Sequence, residues 1–179
     1  MMDITELYYD SYSLALFAVS HEMGSRSAMD FLEKIYSDEK SFLHPDYVRD
    51  KKLFFSDTLY WMEYLIDKEK LDAEFPVVEK DFKATGKTFV RESVMSDYPD
   101  IDLFFMFMRI RILYVDKQNY ERMKLRTLLR NYGYKRRSPA IVAHINKCLI
   151  FYHIQPYLRD YEQCEIEKVD IDDMITFRV

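Results

Sequence analysis

Residues 123–154, MKLRTLLRNYGYKRRSPAIVAHINKCLIFYHI, constrain this chain more than any other stretch. Leu125, Leu128, Leu129 and Tyr132 recur at i, i+3, i+4 and i+7, one apolar stripe of a helix with 3.6 residues per turn. A tight turn through Gly133 follows, and Ser138-Pro139 opens a second helix. There Ile141, Val142, Ile145, Cys148, Leu149 and Tyr152 share one side, and Ala140, Ala143, Asn146 and Lys147 share the other. Two helices joined by a short Gly-containing turn, with cations around the joint, form a helix-turn-helix pattern.

The charge distribution agrees with that focus. Residues 1–108 hold 12 Lys and Arg against 22 Asp and Glu, a net −10. Residues 109–147 hold 11 against 2, a net +9, and residues 148–179 hold 3 against 7, a net −4. The whole-chain balance of −5 argues against a polyanionic partner, whereas the local +9 argues for one. Almost half of the residues are hydrophobic and only three are Gly, so the chain folds around a core. Two cysteines make no disulfide framework, and Cys148 on the apolar stripe reads as a buried free thiol. No apolar run reaches membrane-spanning length and the N-terminus has no signal pattern, so the expected compartment is the cytoplasm.

Residues 4–20 are apolar enough for a buried helix. His21 to Ser25 break it, Ser27 caps a second helix with Met29, Phe31, Leu32 and Ile35, and Ser56 or Asp57 caps a third with Leu59, Met62, Tyr64, Leu65 and Ile66. Trp61 reads as a core anchor. Residues 75–78 and 88–90 read as short strands or connectors, and Ser96 to Asp100 as a turn and the domain boundary. Arg109-Ile110-Arg111-Ile112 alternates as a half-buried strand does, and the basic helix starts at Asp116 or Asn119. Residues 164–169 and 174–179 alternate again about Asp170 to Asp173, as in a β-hairpin.

That order, together with Leu125 to Leu129, Tyr132 to Arg137, Ile154 to Leu158 and Met174 to Arg178, resembles the winged helix-turn-helix module of bacterial proteins. The resemblance covers about residues 103–179 and leaves the module's usual first helix without a counterpart. The expected fold is α+β: an acidic, mostly helical N-terminal domain of unrecognised family over 1–100, read from its own apolar pattern, then the winged helix-turn-helix that the resemblance implies over 103–179 in the order strand-helix-helix-strand-strand.

The resemblance implies that residues 138–151 form a recognition helix. Ala143 then permits close approach to a groove, Asn146 reads an adenine edge, and Lys147 meets a guanine or a phosphate. Lys135, Arg136, Arg137 and Ser138 form a phosphate corner beside the helix start, and Arg126 and Arg130 touch the flanking backbone. The expected partner is DNA, or RNA, through 122–147, with a protein partner or a second copy on the acidic N-terminal half and no membrane. The expected function is a nucleic-acid-binding regulator of bacterial or mobile-element type. The rival is a small phage or plasmid inhibitor or adaptor of a host nucleic-acid enzyme, because the −10 half could mimic nucleic acid. No catalytic motif, cofactor site or metal-ligand spacing stands out. Gly86-Lys87-Thr88 lacks the earlier glycine of a phosphate loop, so no enzyme is expected.

Overall fold

The computed structural model describes residues 7–66 and 98–179. The expected strands at 75–78 and 88–90, and Gly86-Lys87-Thr88, lie outside the described residues. The protein is α+β, with seven α-helices and one three-stranded antiparallel sheet among the described residues. The described residues divide into two compact units, 7–66 and 98–179.

The first unit holds α1 (Ser11–Ser20), α2 (Ser25–Asp38), α3 (Pro45–Arg49) and α4 (Lys51–Ile66). Its helices begin at other residues than the sequence suggests. Asp10 caps α1, accepting from the Ser13 backbone N–H at 2.9 Å, so residues 7–10 lead into the helix and Tyr9 bridges to Leu43. Gly24, not Ser27, precedes α2. α4 starts at Lys51, and Asp57, 7% exposed, is a buried acceptor rather than a cap. α1 packs on α4 with Ser11 to Ala18 all buried, which obliges its serines to find partners. Ser13 Oγ donates to Asp10, and the Tyr47 hydroxyl lies 2.9 Å from Ser11 Oγ and 3.0 Å from Asp57 Oδ2. Trp61 is fully buried, its ring edge-on to Tyr12, as expected of a core anchor.

The second unit begins with α5 (Pro99–Ile110), where a turn was expected. Pro99 occupies the first helical turn, where its missing N–H costs nothing, and Asp100 and Asp102 complement the positive helix start. The strand expected at Arg109 to Ile112 is absent: Arg109 and Ile110 end α5, and Arg111–Val115 form one π-helical turn. The Arg/Ile alternation marks no solvated face. Arg109 is only 9% exposed and donates to the Tyr152 carbonyl at 2.8 Å.

The first strand is β1 (Tyr120–Lys124), in the segment where the basic helix was expected to start; α6 (Leu125–Asn131) and α7 (Pro139–Phe151) follow. β2 (Gln155–Tyr157) and β3 (Met174–Arg178) complete a sheet of order β1-β3-β2. β3 pairs antiparallel with both neighbours, Phe177 opposite Glu121 and Pro156. The hairpin expected between 164–169 and 174–179 therefore does not form. Pro156 is tolerated because β2 is an edge strand, and residues 164–169 are a loop pinned by buried Ile166 and Val169. The Asp170 to Asp173 turn is present, closed by Asp173 N–H to the Asp170 carbonyl at 3.0 Å.

The stripe of the opening stretch is buried as its period requires: Leu125, Leu128 and Leu129 on α6, and Ile141, Val142, Ile145, Cys148 and Leu149 on α7. Gly133, at φ +79°, ends α6 in a Schellman turn. Its N–H reaches the Arg130 carbonyl at 3.1 Å, and the Tyr134 N–H reaches Leu129 at 2.9 Å. A Cβ there would meet nothing within 4 Å, so the cost of a side chain is backbone strain alone. Gly133→Ala is expected to lower stability by about 1 kcal/mol, and Gly133→Asn by less. Urea denaturation checks this, and an alanine variant as stable as the parent would contradict it.

Candidate nucleic-acid interface

The joint between α6 and α7 positions the expected phosphate corner. Ser138 caps α7, its Oγ accepting the Ile141 N–H at 3.3 Å, with Pro139 next. Arg126, Arg130, Lys135 and Arg136 line one open hollow of about 510 Å³ with Gly133 and Ile171. Arg130, Lys135 and Arg136 are exposed and make no ion pair among the described residues.

The other expected contacts are committed within the protein. Arg126 donates through Nε and Nη2 to the Asp172 carboxylate at 2.7 and 2.8 Å, and this pairing holds the Asp172 carboxyl below its usual range. Its backbone N–H also donates to the Ile171 carbonyl at 2.9 Å. The Asp-rich turn thus faces α6 and neutralises one of its cations. Arg137 is half-buried, donating through Nη1 to the carbonyls of Ile166 at 2.9 Å and Val169 at 2.6 Å. It ties the helix joint to the loop before β3 and does not line the hollow.

On α7, Ala140 and Ala143 are exposed and Asn146 and Lys147 are partly so, as the face assignment requires. Asn146 donates to Glu167 Oε2 at 3.2 Å and lines a separate hollow with Ile150 and Glu165. A backbone hydrogen bond, aided by Asn146, holds the Glu167 carboxyl below its usual range. The acid-poor 109–147 segment therefore meets acids in space that it lacks in sequence. Asp172 lies 46 residues from Arg126, and Glu167 lies 21 from Asn146. Within the segment, Arg111 pairs with one of its own two acids, Glu121, at 2.9 Å.

One cluster escaped the reading of the sequence. His144 and Cys148, four apart on α7, meet Asp102 of α5, with the three ligand atoms within 4.8 Å of one another. The His144 side chain is 9% exposed and Asp102 is 1% exposed. The i, i+4 spacing was the available signal, but only the fold supplies Asp102. Nitrogen, sulfur and oxygen donors suit zinc, yet His144 Nε2 and Asp102 Oδ1 lie 2.5 Å apart. Two zinc ligands at about 2.0 Å in a tetrahedron would stand about 3.3 Å apart. The geometry is that of a shared hydrogen bond, with the Cys148 thiol 3.5 Å from the same oxygen, and it braces α5 against α7.

No helix among the described residues is long and apolar enough to cross a membrane. No protein-family model, curated protein or solved structure matches the chain.

Proposed function

We propose that residues 98–179 are a winged helix-turn-helix that binds duplex DNA, and that the protein is a non-catalytic regulator of bacterial or mobile-element type. The order helix, strand, helix, helix, strand, strand and the sheet order β1-β3-β2 support the fold reading, with α5 standing where the sequence offered no first helix. The observation that carries the DNA reading is the trio Arg130, Lys135 and Arg136 around one hollow at the α6–α7 joint, without carboxylate partners among the described residues. These three meet phosphates while Ala143 allows α7 to approach a groove. Arg126 lines the same hollow but is neutralised by Asp172, and Arg137 and Asn146 are engaged by the loop before β3.

Three phosphate contacts give a slope of log affinity against log salt of about −2.7. Binding to mixed duplex DNA across a salt series is expected to have that slope. Changing Arg130, Lys135 and Arg136 together to Ala should flatten it, and Asp172→Asn, which releases Arg126, should steepen it by about one unit. Tight binding indifferent to salt or to the triple change sinks the proposal.

A protein partner is the second reading. Ile150 is 68% exposed on α7, and with Leu149, Ile154 and Pro156 it borders a hollow of about 570 Å³ that Glu165 and Glu167 make hostile to phosphate. A partner captured from host lysate after nuclease treatment, and lost on Ile150→Asp, favours the inhibitor or adaptor reading.

A further inference from the structure

The sheet turns Ile175 and Phe177 into the core, and the alternate residues of its strands occupy the other face. On that face Arg178 stands opposite Tyr120, and Arg122 and Tyr157 both stand opposite Thr176. The 3₁₀ turn Arg159–Tyr161 after β2 adds Arg159 and Tyr161 to the same hollow of about 200 Å³, which no carboxylate lines among the described side chains.

The arginines here differ from those elsewhere in the unit. Arg111 and Arg126 each clasp a carboxylate. Arg122 donates to Thr176 Oγ1 at 3.1 Å and Arg178 to Asn119 Oδ1 at 3.3 Å, both neutral acceptors, and Arg159 is exposed. None of the three makes an ion pair among the described residues. Arg178 Nε is buried without a hydrogen-bond partner, a donor that packing alone leaves unexplained. The Arg178 guanidinium lies 5.2 Å from the ring centroids of both Tyr120 and Tyr161. Tyr161 is 75% exposed and holds φ +64°, a left-handed conformation that costs a non-glycine residue free energy. A strained backbone that keeps an aromatic ring in water, beside three cations that make no ion pair among the described residues, calls for a ligand both anionic and flat.

We infer that this sheet face binds a phosphorylated nucleotide unit of a single-stranded nucleic acid, with the phosphate among Arg122, Arg159 and Arg178 and the base stacked on Tyr161. The hollow is smaller than the roughly 300 Å³ at which small-molecule pockets begin. It suits one phosphate, with the base lying outside on the exposed ring. Stacking on an aromatic beside a cationic groove is how single strands are held without sequence preference. A free nucleotide carries the same chemistry, and the experiment separates the two sources. The site is distinct from the duplex-binding corner, so each stands or falls alone.

The experiment is fluorescence anisotropy of a labelled ten-nucleotide oligo-dT, with unlabelled thymidine monophosphate as competitor. Arg159 and Tyr161 are exposed, so Arg159→Ala and Tyr161→Ala preserve the fold. Tyr161→Ala is expected to weaken oligonucleotide binding by about five- to hundredfold, the range for removing one stacking aromatic. Arg159→Ala and Arg178→Gln should each weaken it and flatten its salt dependence, while the triple change at Arg130, Lys135 and Arg136 leaves it within twofold. Displacement by the monophosphate only at much higher concentration supports the strand as ligand, and displacement at matched concentration supports the site with a free nucleotide as its source. The inference is overturned if the wild-type protein does not bind the oligonucleotide. It is equally overturned if the Arg159 and Tyr161 variants bind like the wild type, or if only the corner triple loses binding.

Discussion

Asp102→Ala is expected to lower the free energy of unfolding by about 1–3 kcal/mol, the penalty for leaving a buried polar group without its hydrogen-bond partner. Its Oδ1 lies 2.5 Å from His144 Nε2 and 3.5 Å from the Cys148 thiol. Deleting the carboxylate strips two buried groups on α7 of one acceptor and opens a cavity beside α5. Asp102→Asn keeps an oxygen in place and should lose less, which separates loss of the hydrogen bond from loss of volume. Denaturant midpoints at an unchanged m-value measure both. An alanine variant within about 1 kcal/mol of the parent would mean that the trio does not brace the helices.

In the first unit the largest expected loss comes from Trp61→Ala, about 3–5 kcal/mol. Trp61 is fully buried, with its ring 5.0 Å from Tyr12 of α1 and 5.5 Å from Tyr64 of its own helix at near-perpendicular angles, so truncation removes area, one edge-to-face contact between α1 and α4 and one within α4. Trp61→Phe keeps most of the volume and should cost less than half as much. Thermal unfolding followed by far-UV circular dichroism suits the test, because Trp61 is the only tryptophan and its fluorescence is lost in either variant. Equal midpoints for the alanine variant and the parent would contradict its role as the anchor of this core.

What could be read from the sequence follows from the range of the forces involved. The stripes of α6 and α7, the Gly133 turn and the Ser138-Pro139 helix start are local, and each was legible. The strands were not. β1 reads Tyr-Glu-Arg-Met-Lys because it is a sheet edge, where charge on the open face is normal and hydrophobic alternation is weak. Ile166 sits between two acids as a strand residue does, yet with Val169 it anchors a loop, and period 2 cannot tell a buried loop anchor from a buried strand residue. Arg109 and Arg111 read as one solvated edge of a strand, whereas the first caps a carbonyl inside the protein and the second clasps Glu121. The candidate corner was half legible. Lys135, Arg136 and Arg130 stand where their spacing put them, but the partners of Arg126, Arg137 and Asn146 arrive from the last fifteen residues. An acid-poor window says nothing about those. The brace at Asp102 was hidden for the same reason, since its two halves lie 42 residues apart.

Arg137 carries a consequence for how such chains change over time. Its guanidinium holds the carbonyls of Ile166 and Val169, so the loop before β3 depends on it whether or not nucleic acid is ever bound. Were the proposed polyanion abandoned in descendants, Lys135 and Arg136 would be at liberty to drift, while Arg137 would be retained by folding alone. A basic residue at that position across divergent relatives would record the architecture, and the two cations before it would record the ligand.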